Sequence, residues 1–183
     1  MSIIVSVFVA TSLDGFIARN DGAVDWLNEA NTAVPDGEDC GFQAFMDSID
    51  ALIMGRKTYE QVLSFGEWPY ERTPVVVLSR NPISFPPGVR ANVTQSSEPP
   101  RDLLERLSRE GAERVYVDGG TTIQGFLSEG LIDEITVTVI PIILGDGIPL
   151  FRSIGKDISL THVRTTTFDF GFVQTTYSVE KNA

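Results

Sequence analysis

Two stretches of this sequence each run from a short apolar segment through glycine into a helical pattern. Residues 51–54 stop at Gly55 before a helical pattern over 58–64, and 114–117 lead into Gly119 before another over 122–128. Because parallel strands need a crossover connection, usually a helix, this alternation predicts a mainly parallel sheet flanked by helices. Strand patterns dominate near the C-terminus, over 158–167 and 171–179, and predict an antiparallel hairpin. The sequence therefore predicts an α/β fold with a mixed sheet.

The other expected elements follow from the same patterns of apolar residues. A helix over 39–49 places Phe42 on an apolar face at helical spacing, and a helix over 101–110 ends at Gly111. The segments over 19–37 and 81–88 are rich in loop-forming residues. The remaining strands are expected over 3–10, 74–78 and 132–140.

The composition fits one globular domain over residues 1–183, with 42% hydrophobic and 21% charged residues. A formal net charge of −11 argues against nucleic acid as the main partner, because binding a phosphate backbone needs a basic face. No segment has the length to cross a bilayer, and the apolar N-terminus lacks a basic leader. With one cysteine and no sign of export, we expect a cytoplasmic protein.

The single histidine and the single cysteine restrict the chemistry that is available. A zinc deaminase needs His, Glu and paired Cys elements that are absent, so we expect no metal site. A Ser-His-Asp hydrolase would depend on His162, which lies in a strand-like stretch, and no nucleophile-elbow motif supports one.

The corner at Gly55 has the composition of a phosphate site. A helix that begins there leaves its first N–H groups without partners in the helix, and the helix dipole adds partial positive charge. Arg56, Lys57 and Thr58 add side-chain donors suited to phosphate. A strand–helix corner with solvated charges is the alternative interpretation.

A second corner of this kind follows the strand over 74–78. Ser79 supplies a hydroxyl and Arg80 a guanidinium, a pair suited to a phosphate monoester at the carboxyl end of a strand. A 2′-phosphate there would favour NADP over NAD. An exposed strand end is the alternative.

The third corner contains Gly119, Gly120, Thr121 and Thr122. The glycines let a pyrophosphate approach the backbone closely, and the threonines can cap the helix and contact phosphate. A turn that needs glycine for positive φ is the alternative. Three such corners suit the rule that ligands bind beyond the carboxyl ends of the strands of an open sheet.

With these corners the sequence resembles the dihydrofolate reductase superfamily. It is most similar to the reductase domain of the bifunctional riboflavin-biosynthesis deaminase–reductase and to that domain's stand-alone bacterial relatives. The resemblance implies a dihydrofolate reductase-like three-layer sandwich, with NADPH across the carboxyl ends of the sheet. The matching segments span nearly the whole chain, in the family's order, at positions 12–15, 54–60, 76–80, 117–120, 130–134, 141 and 144–151.

The resemblance also assigns cofactor contacts to residues of this sequence. Ala10 and Ile17 would flank the nicotinamide, and Ser79 and Arg80 would bind the 2′-phosphate. In this family the peptide between the two glycines is commonly cis, and the loop over 145–151 with its flanking strands often contributes to a homodimer. The residues that would hold the phosphates, the adenosine side and the pyrophosphate are Gly55, Arg56, Lys57, Thr58, Gly119, Gly120, Thr121, Thr122 and Ile123.

Two carboxylates and two aromatic residues are the candidates for substrate chemistry. Asp39 stands at the spacing of the carboxylate that assists protonation in dihydrofolate reductases, with Glu38 as a near competitor, and it is equally suited to cap a helix. Asp14 borders the substrate in the riboflavin branch, although Asp before Gly also forms turns. Trp26 and Phe42 could frame a flat heterocycle or belong to the core.

The resemblance implies an NADPH-dependent reductase of a pyrimidine- or pteridine-like substrate. By family the reaction would convert the ribosyl group of 5-amino-6-(5-phosphoribosylamino)uracil into ribityl. The Leu-Pro-Trp element of folate reductases is replaced here by Val24-Asp25-Trp26, and no basic cluster remains for a ribose phosphate. Dihydrofolate reduction and a non-catalytic NADP-binding protein of the same fold are therefore the alternatives.

Overall fold

The computed structural model describes residues 3–89 and 92–181, and five helices and ten strands lie within them. In chain order these are β1 (Ile4–Ser12), β2 (Phe16–Ala18), α1 (Asp25–Asn31), α2 (Phe42–Met46), β3 (Ala51–Gly55), α3 (Arg56–Ser64), β4 (Val75–Leu78), β5 (Val93–Ser96), α4 (Pro100–Arg109), β6 (Arg114–Asp118), α5 (Gly120–Ser128), β7 (Glu134–Ile140), β8 (Ile148–Pro149), β9 (Leu160–Thr167) and β10 (Val173–Val179).

Eight strands form one sheet in the order β5-β4-β3-β6-β1-β7-β10-β9. The pairs from β5 to β7 are parallel, whereas β10 is antiparallel to both β7 and β9. The short strands β2 and β8 pair separately. The predicted α/β fold, with a mainly parallel sheet and an antiparallel C-terminal hairpin, is confirmed.

The strand register places the three predicted corners along one edge of the sheet. In the parallel pair of β3 and β4, Gly55 lies opposite Leu78. In the parallel pair of β3 and β6, Met54 lies opposite Asp118. Because parallel strands end in the same direction, the segments that follow all three strands meet at the carboxyl edge.

Helices cover both faces of the sheet. On one face, α4 and α5 contribute Leu103, Ile123 and Phe126 to a core with Val5 and Val115. On the other face, a second core contains Tyr59 and Val62 of α3, and side chains of α2 pack against its edge. Burying apolar side chains on both faces explains why β3 and β4 are almost uniformly hydrophobic.

Several boundaries differ from the prediction, and α1 was not predicted at all. The segment expected as a loop over 19–37 contains this helix, whose Trp26 is 2% exposed and packs against Ile140 and Phe172. Contacts with distant residues stabilise so short a helix, and the sequence around it does not reveal them. The predicted helix over 39–49 is limited to α2, and the short strands β5 and β8 were also missed.

The helices within residues 3–89 and 92–181 are 5 to 10 residues long. None of them combines the length and the apolar character that a membrane-spanning helix requires.

Candidate functional site

The corners at Gly55 and Gly119 interlock through reciprocal contacts. Each glycine precedes a helix whose third residue is a threonine, Thr58 in α3 and Thr122 in α5. A Cβ atom on Gly55 would lie 2.8 Å from Thr122 Oγ1, and a Cβ atom on Gly119 would overlap Thr58 Oγ1. Each threonine therefore occupies the space that glycine leaves in the opposite corner. We call residues 55–58 and 119–122 the paired corners.

The paired corners direct two helix N-termini toward one space. Neither α3 nor α5 has a side-chain cap at its start, so the first N–H groups have no side-chain acceptor there. Both helix dipoles add partial positive charge at this point. A cavity of about 620 Å³, which we call the outer cavity, lies over both corners and also contacts Leu78, Pro100 and Ile148. This arrangement can bind an anion through backbone groups.

Cationic side chains stand at the rim of the outer cavity. Arg56 and Lys57 both line it and are exposed. Arg56 Nε lies 2.6 Å from Glu60 Oε1, one turn further along α3, so this guanidinium already has an acidic neighbour. Lys57 adds a point charge that suits a phosphate oxygen.

The corner at Ser79 and Arg80 lies next to the paired corners, at the end of β4. The outer cavity extends to Leu78, the residue before Ser79. The Ser79 hydroxyl donates to the Asn81 carbonyl at 2.6 Å, and Arg80 is exposed. The three corners predicted from the sequence are thus brought to one side of the sheet, while the role of Arg80 in 2′-phosphate binding stays a prediction.

A second cavity of about 300 Å³, the inner cavity, adjoins the outer one. Thr58, Gly119 and Gly120 line both cavities. The two residues expected beside a nicotinamide, Ala10 and Ile17, both line the inner cavity. Its other walls are mostly apolar or aromatic, from Phe8, Val9, Ala18, Val24, Leu27, Val62, Phe65, Tyr70, Tyr116 and Ile123.

Among the described residues, one carboxyl group, that of Asp118, borders the inner cavity, and no motif in the sequence distinguishes it as catalytic. Its Oδ1 accepts the backbone N–H of Gly119 at 2.8 Å. The hydroxyl of Tyr116, which also borders the cavity, donates to the Phe8 carbonyl at 2.8 Å, and it lies close enough to Asp118 to lower the pKa of that carboxyl group. The Gly119 N–H and the Tyr116 hydroxyl thus favour the ionised carboxylate of Asp118, and burial opposes them.

Burial is the main cause that shifts the pKa values of Asp118, Tyr116 and Tyr70. Burial raises the pKa of Asp118 above the ordinary carboxyl value of 3.8, against the opposing hydrogen bonds of the Gly119 N–H and the Tyr116 hydroxyl. Burial raises the pKa of Tyr116, and repulsion from Asp118 adds to the effect. The pKa of Tyr70 is raised for the same two reasons. A carboxyl group that keeps its proton to higher pH can act as an acid.

Several hydrogen bonds hold the segment over residues 12–24, which precedes α1, in place beside the inner cavity. Asp14 accepts the Ser12 hydroxyl at 2.6 Å and the N–H groups of Leu144 and Gly145 at 3.1 and 2.8 Å. The Ser12 hydrogen bond is the main reason that the pKa of Asp14 is lowered. The Gln61 amide donates to the Gly22 carbonyl at 2.6 Å and holds the far side of this segment. Asp14 thus connects two loops, and its catalytic role stays a prediction.

The structure places Asp39, Trp26 and Phe42 away from the lining of the inner cavity. The exposed Asp39 carboxylate accepts the N–H groups of Gly41 and Gln43 at 2.8 and 2.7 Å, the arrangement of a helix cap. Trp26 is buried beneath α1, and the Phe42 ring lies 5.7 Å from that of Phe8. A catalytic role for Asp39 and substrate roles for Trp26 and Phe42 stay predictions.

Two further expectations concern the backbone and metals. Every peptide bond in the described residues is trans, so the cis bond expected between Gly119 and Gly120 is not present. Gly119 instead has φ of 91°, a conformation that favours glycine. Within residues 3–89 and 92–181, no three His, Cys, Asp or Glu side chains group closely enough to hold a metal ion.

The sequence matches the family described as the RibD C-terminal domain over residues 3–173. It is 36% identical over 165 residues to the uncharacterized protein YwjB of Bacillus subtilis, which covers 88% of this chain and 90% of YwjB. The chain belongs to the RibD C-terminal domain family, which confirms the resemblance found in the sequence. Membership of this family supports an oxidoreductase of the type found in riboflavin biosynthesis.

Solved structures agree with this assignment. A putative riboflavin biosynthesis protein from Shewanella sp. PV-4 superposes with a TM-score of 0.90 at 40% identity, covering 97% of this chain and 99% of that one. Dihydrofolate reductase from Enterococcus faecalis, solved with NADP(H), superposes with a TM-score of 0.61 at 18% identity, covering 96% of each chain. The second similarity shows a shared dihydrofolate reductase-like fold.

The paired corners predict opposite effects for two glycine-to-alanine substitutions. Gly119→Ala should lower the free energy of unfolding by about 1–3 kcal/mol, because it combines a left-handed φ with overlap on Thr58. Gly125→Ala, within α5 and with nothing within 4 Å of the new Cβ atom, should raise it by about 0.4–1 kcal/mol. Urea unfolding measures both values. Equal stability of the two variants would contradict the reciprocal contact.

Proposed function

We propose that this protein is an NADPH-dependent reductase of a pyrimidine- or pteridine-like substrate. The observation that carries the proposal is that the two cavities are adjacent and share the walls formed by Thr58, Gly119 and Gly120. The outer cavity offers backbone and cationic donors to phosphates, and the inner cavity offers apolar walls and one acidic group. A dinucleotide that spans both would place its charged and uncharged ends in matching surroundings. Family membership supports the same function.

The residues present suit the cofactor along its length. The N-termini of α3 and α5 would hold the pyrophosphate, with Thr58, Thr121 and Thr122 as hydroxyl donors. Lys57 and Arg56 would contact phosphate oxygens, and the guanidinium of Arg80 would bind the 2′-phosphate. Ala10 and Ile17 would flank the nicotinamide ring. When bound, the cofactor supplies the hydride.

Asp118 is our candidate for the group that supplies the accompanying proton. It borders the inner cavity, and burial favours its protonated form. A protonated carboxyl group can donate to a ring nitrogen or a carbonyl oxygen of the acceptor. Asp14 and Asp39 are the alternatives from the sequence, although neither lines the inner cavity: Asp14 binds the N–H groups of Leu144 and Gly145, and Asp39 binds the start of α2.

By resemblance to its family, the chain would reduce 5-amino-6-(5-phosphoribosylamino)uracil. Dihydrofolate reduction and NADP binding without catalysis are the other two candidates. The Asp118 carboxyl group at the inner cavity favours catalysis over binding alone, because a protein that only bound the cofactor would not need an acid there. A cytoplasmic location stays part of this proposal.

Arg80→Ala should remove the preference for NADPH over NADH. Affinity for NADPH should fall by about tenfold or more, since a charged hydrogen bond contributes about 1.5–3 kcal/mol, while affinity for NADH should not change. Fluorescence titration with each nucleotide measures both affinities. Arg72→Ala, an exposed arginine outside both cavities, is the control. An unchanged preference in Arg80→Ala would rule out this 2′-phosphate site, and binding of neither nucleotide to the unmodified protein would rule out the reductase.

Asp118→Asn should lower kcat by about 100-fold or more if this group donates the proton. In the unmodified protein, kcat/KM should fall as pH rises through the elevated pKa of Asp118, because only the protonated form donates. Tyr70 and Tyr116, the neighbouring titratable groups, have pKa values above the ordinary tyrosine value and stay neutral over that interval.

Asp39→Asn serves as the matched control for this substitution, because Asp39 is exposed and caps α2. We expect it to keep nearly full activity with the same pH profile. Steady-state rates between acidic and mildly alkaline pH measure both variants. If Asp39→Asn abolished activity while Asp118→Asn kept it, the proton donor would be Asp39.

We further propose a homodimer through β9. This strand stands at the sheet edge, and all eight of its residues are exposed, including Leu160 at 42% and Val163 at 53%. Long edge strands with few charges readily pair with another strand. The occupant we propose is β9 of a second copy, which would extend the sheet across a twofold axis.

Val163→Lys should convert the dimer to monomer, because a lysine on an edge strand opposes pairing. Phe65→Lys, which alters an exposed apolar residue outside the edge, should leave the dimer intact. Sedimentation velocity distinguishes the two species. A monomeric unmodified protein at micromolar concentration, or a dimeric Val163→Lys variant, would contradict this interface.

A further inference from the structure

The outer and inner cavities differ in the charge of the side chains that line them. Among the described residues that line the outer cavity, the cationic side chains are Arg56 and Lys57. Among the described residues that line the inner cavity, the ionisable side chains are Asp118, Tyr70 and Tyr116, and all three are acids. The positive charge is thus concentrated at the outer cavity, where the cofactor phosphates would bind.

We infer that the inner cavity accepts an uncharged heterocycle with an adjacent ring N–H and carbonyl, in preference to the phosphate ester of the same compound. This inference rests on the proposed reductase function and names its acceptor. It separates this chain from the phosphorylated acceptor that the family resemblance implies.

The walls of the inner cavity disfavour a phosphate group. A phosphate that enters an apolar space loses hydration, and only paired charges or several donors compensate for that loss. Phe8, Leu27 and Val62 offer neither charge nor side-chain donors. A phosphate near Asp118 would in addition be repelled by the carboxylate whenever that group is ionised.

Arginines close to the inner cavity are already engaged or separated from it. Arg19 follows Ala18 of the lining, but its guanidinium donates to both carboxylate oxygens of Asp25, at 2.6 and 2.8 Å. Arg72 lines a different cavity, and Tyr70, which lines both, lies at their boundary. Neither arginine contributes to the lining of the inner cavity.

The groups that are present match a neutral lactam. A protonated Asp118 has one O–H donor and an acceptor oxygen, which are complementary to a ring carbonyl and its neighbouring N–H. Apolar and aromatic walls suit a flat ring, as in most sites for small heterocycles. Pyrimidinones and pterins both carry such an edge, so the chemistry defines a class of acceptor.

The test compares two ligands that differ by the phosphate alone. Isothermal titration of the NADP⁺-loaded protein with 5-amino-6-(5-phosphoribosylamino)uracil and with its phosphatase-treated product gives the two dissociation constants. We expect the phosphate-free compound to bind about tenfold tighter or better. Equal or tighter binding of the phosphate ester, or binding of neither compound, would overturn the inference. The affinity for NADP⁺, measured beforehand, reports separately on the cofactor site of the proposed function.

Three variants test which residues determine the preference for the phosphate-free compound. Asp118→Asn keeps a donor and an acceptor and should retain affinity for the phosphate-free compound, whereas Asp118→Leu should lose about tenfold. Arg19→Gln should affect neither ligand. A loss of affinity in Arg19→Gln that is confined to the phosphate ester would show that Arg19 binds the phosphate and would contradict the inference. The comparison of the two ligands on the unmodified protein stands even if Asp118→Leu fails to fold.

Discussion

The contact of each threonine with the opposite glycine at the paired corners is the constraint on which the site depends. Parallel pairing of β3 with β6 brings Gly55 and Gly119 to the same edge, and the missing Cβ atoms let Thr58 and Thr122 enter the opposite corner. Two helix N-termini then share one space. A chain with a net charge of −11 would thereby obtain the proposed anion site from backbone N–H groups, with Arg56 and Lys57 at its rim.

The same corner also positions the acid of the inner cavity. Asp118 immediately precedes Gly119 and binds its N–H, so the backbone that turns toward the proposed pyrophosphate site fixes the carboxyl group beside the proposed nicotinamide site. The Tyr116 hydroxyl donates to the Phe8 carbonyl and also acts to lower the pKa of that carboxyl group, but burial outweighs this effect. Binding of the cofactor and donation of a proton would thus depend on one short peptide at the end of β6.

Local signals were sufficient to predict the parallel sheet and the paired corners, because an apolar run, a glycine and a helical pattern lie next to one another in the sequence. Asp118 escaped notice because an aspartate before glycine resembles a turn former, and the cavity that it borders is lined by residues such as Tyr70 that are distant in the sequence. Helix α1 was missed for a similar reason, since distant Ile140 and Phe172 bury its Trp26. Asp39, which suited both a cap and a catalytic group, is seen to cap α2.

A crystal structure of the protein with NADPH would show whether the paired corners and the inner cavity hold the cofactor. We expect the pyrophosphate to lie over the paired corners, with its oxygens within hydrogen-bonding distance of the N–H groups at the starts of α3 and α5. We expect the nicotinamide to enter the inner cavity beside Ala10 and Asp118. A pyrophosphate bound away from both helix starts, or a nicotinamide outside the inner cavity, would contradict this placement of the cofactor.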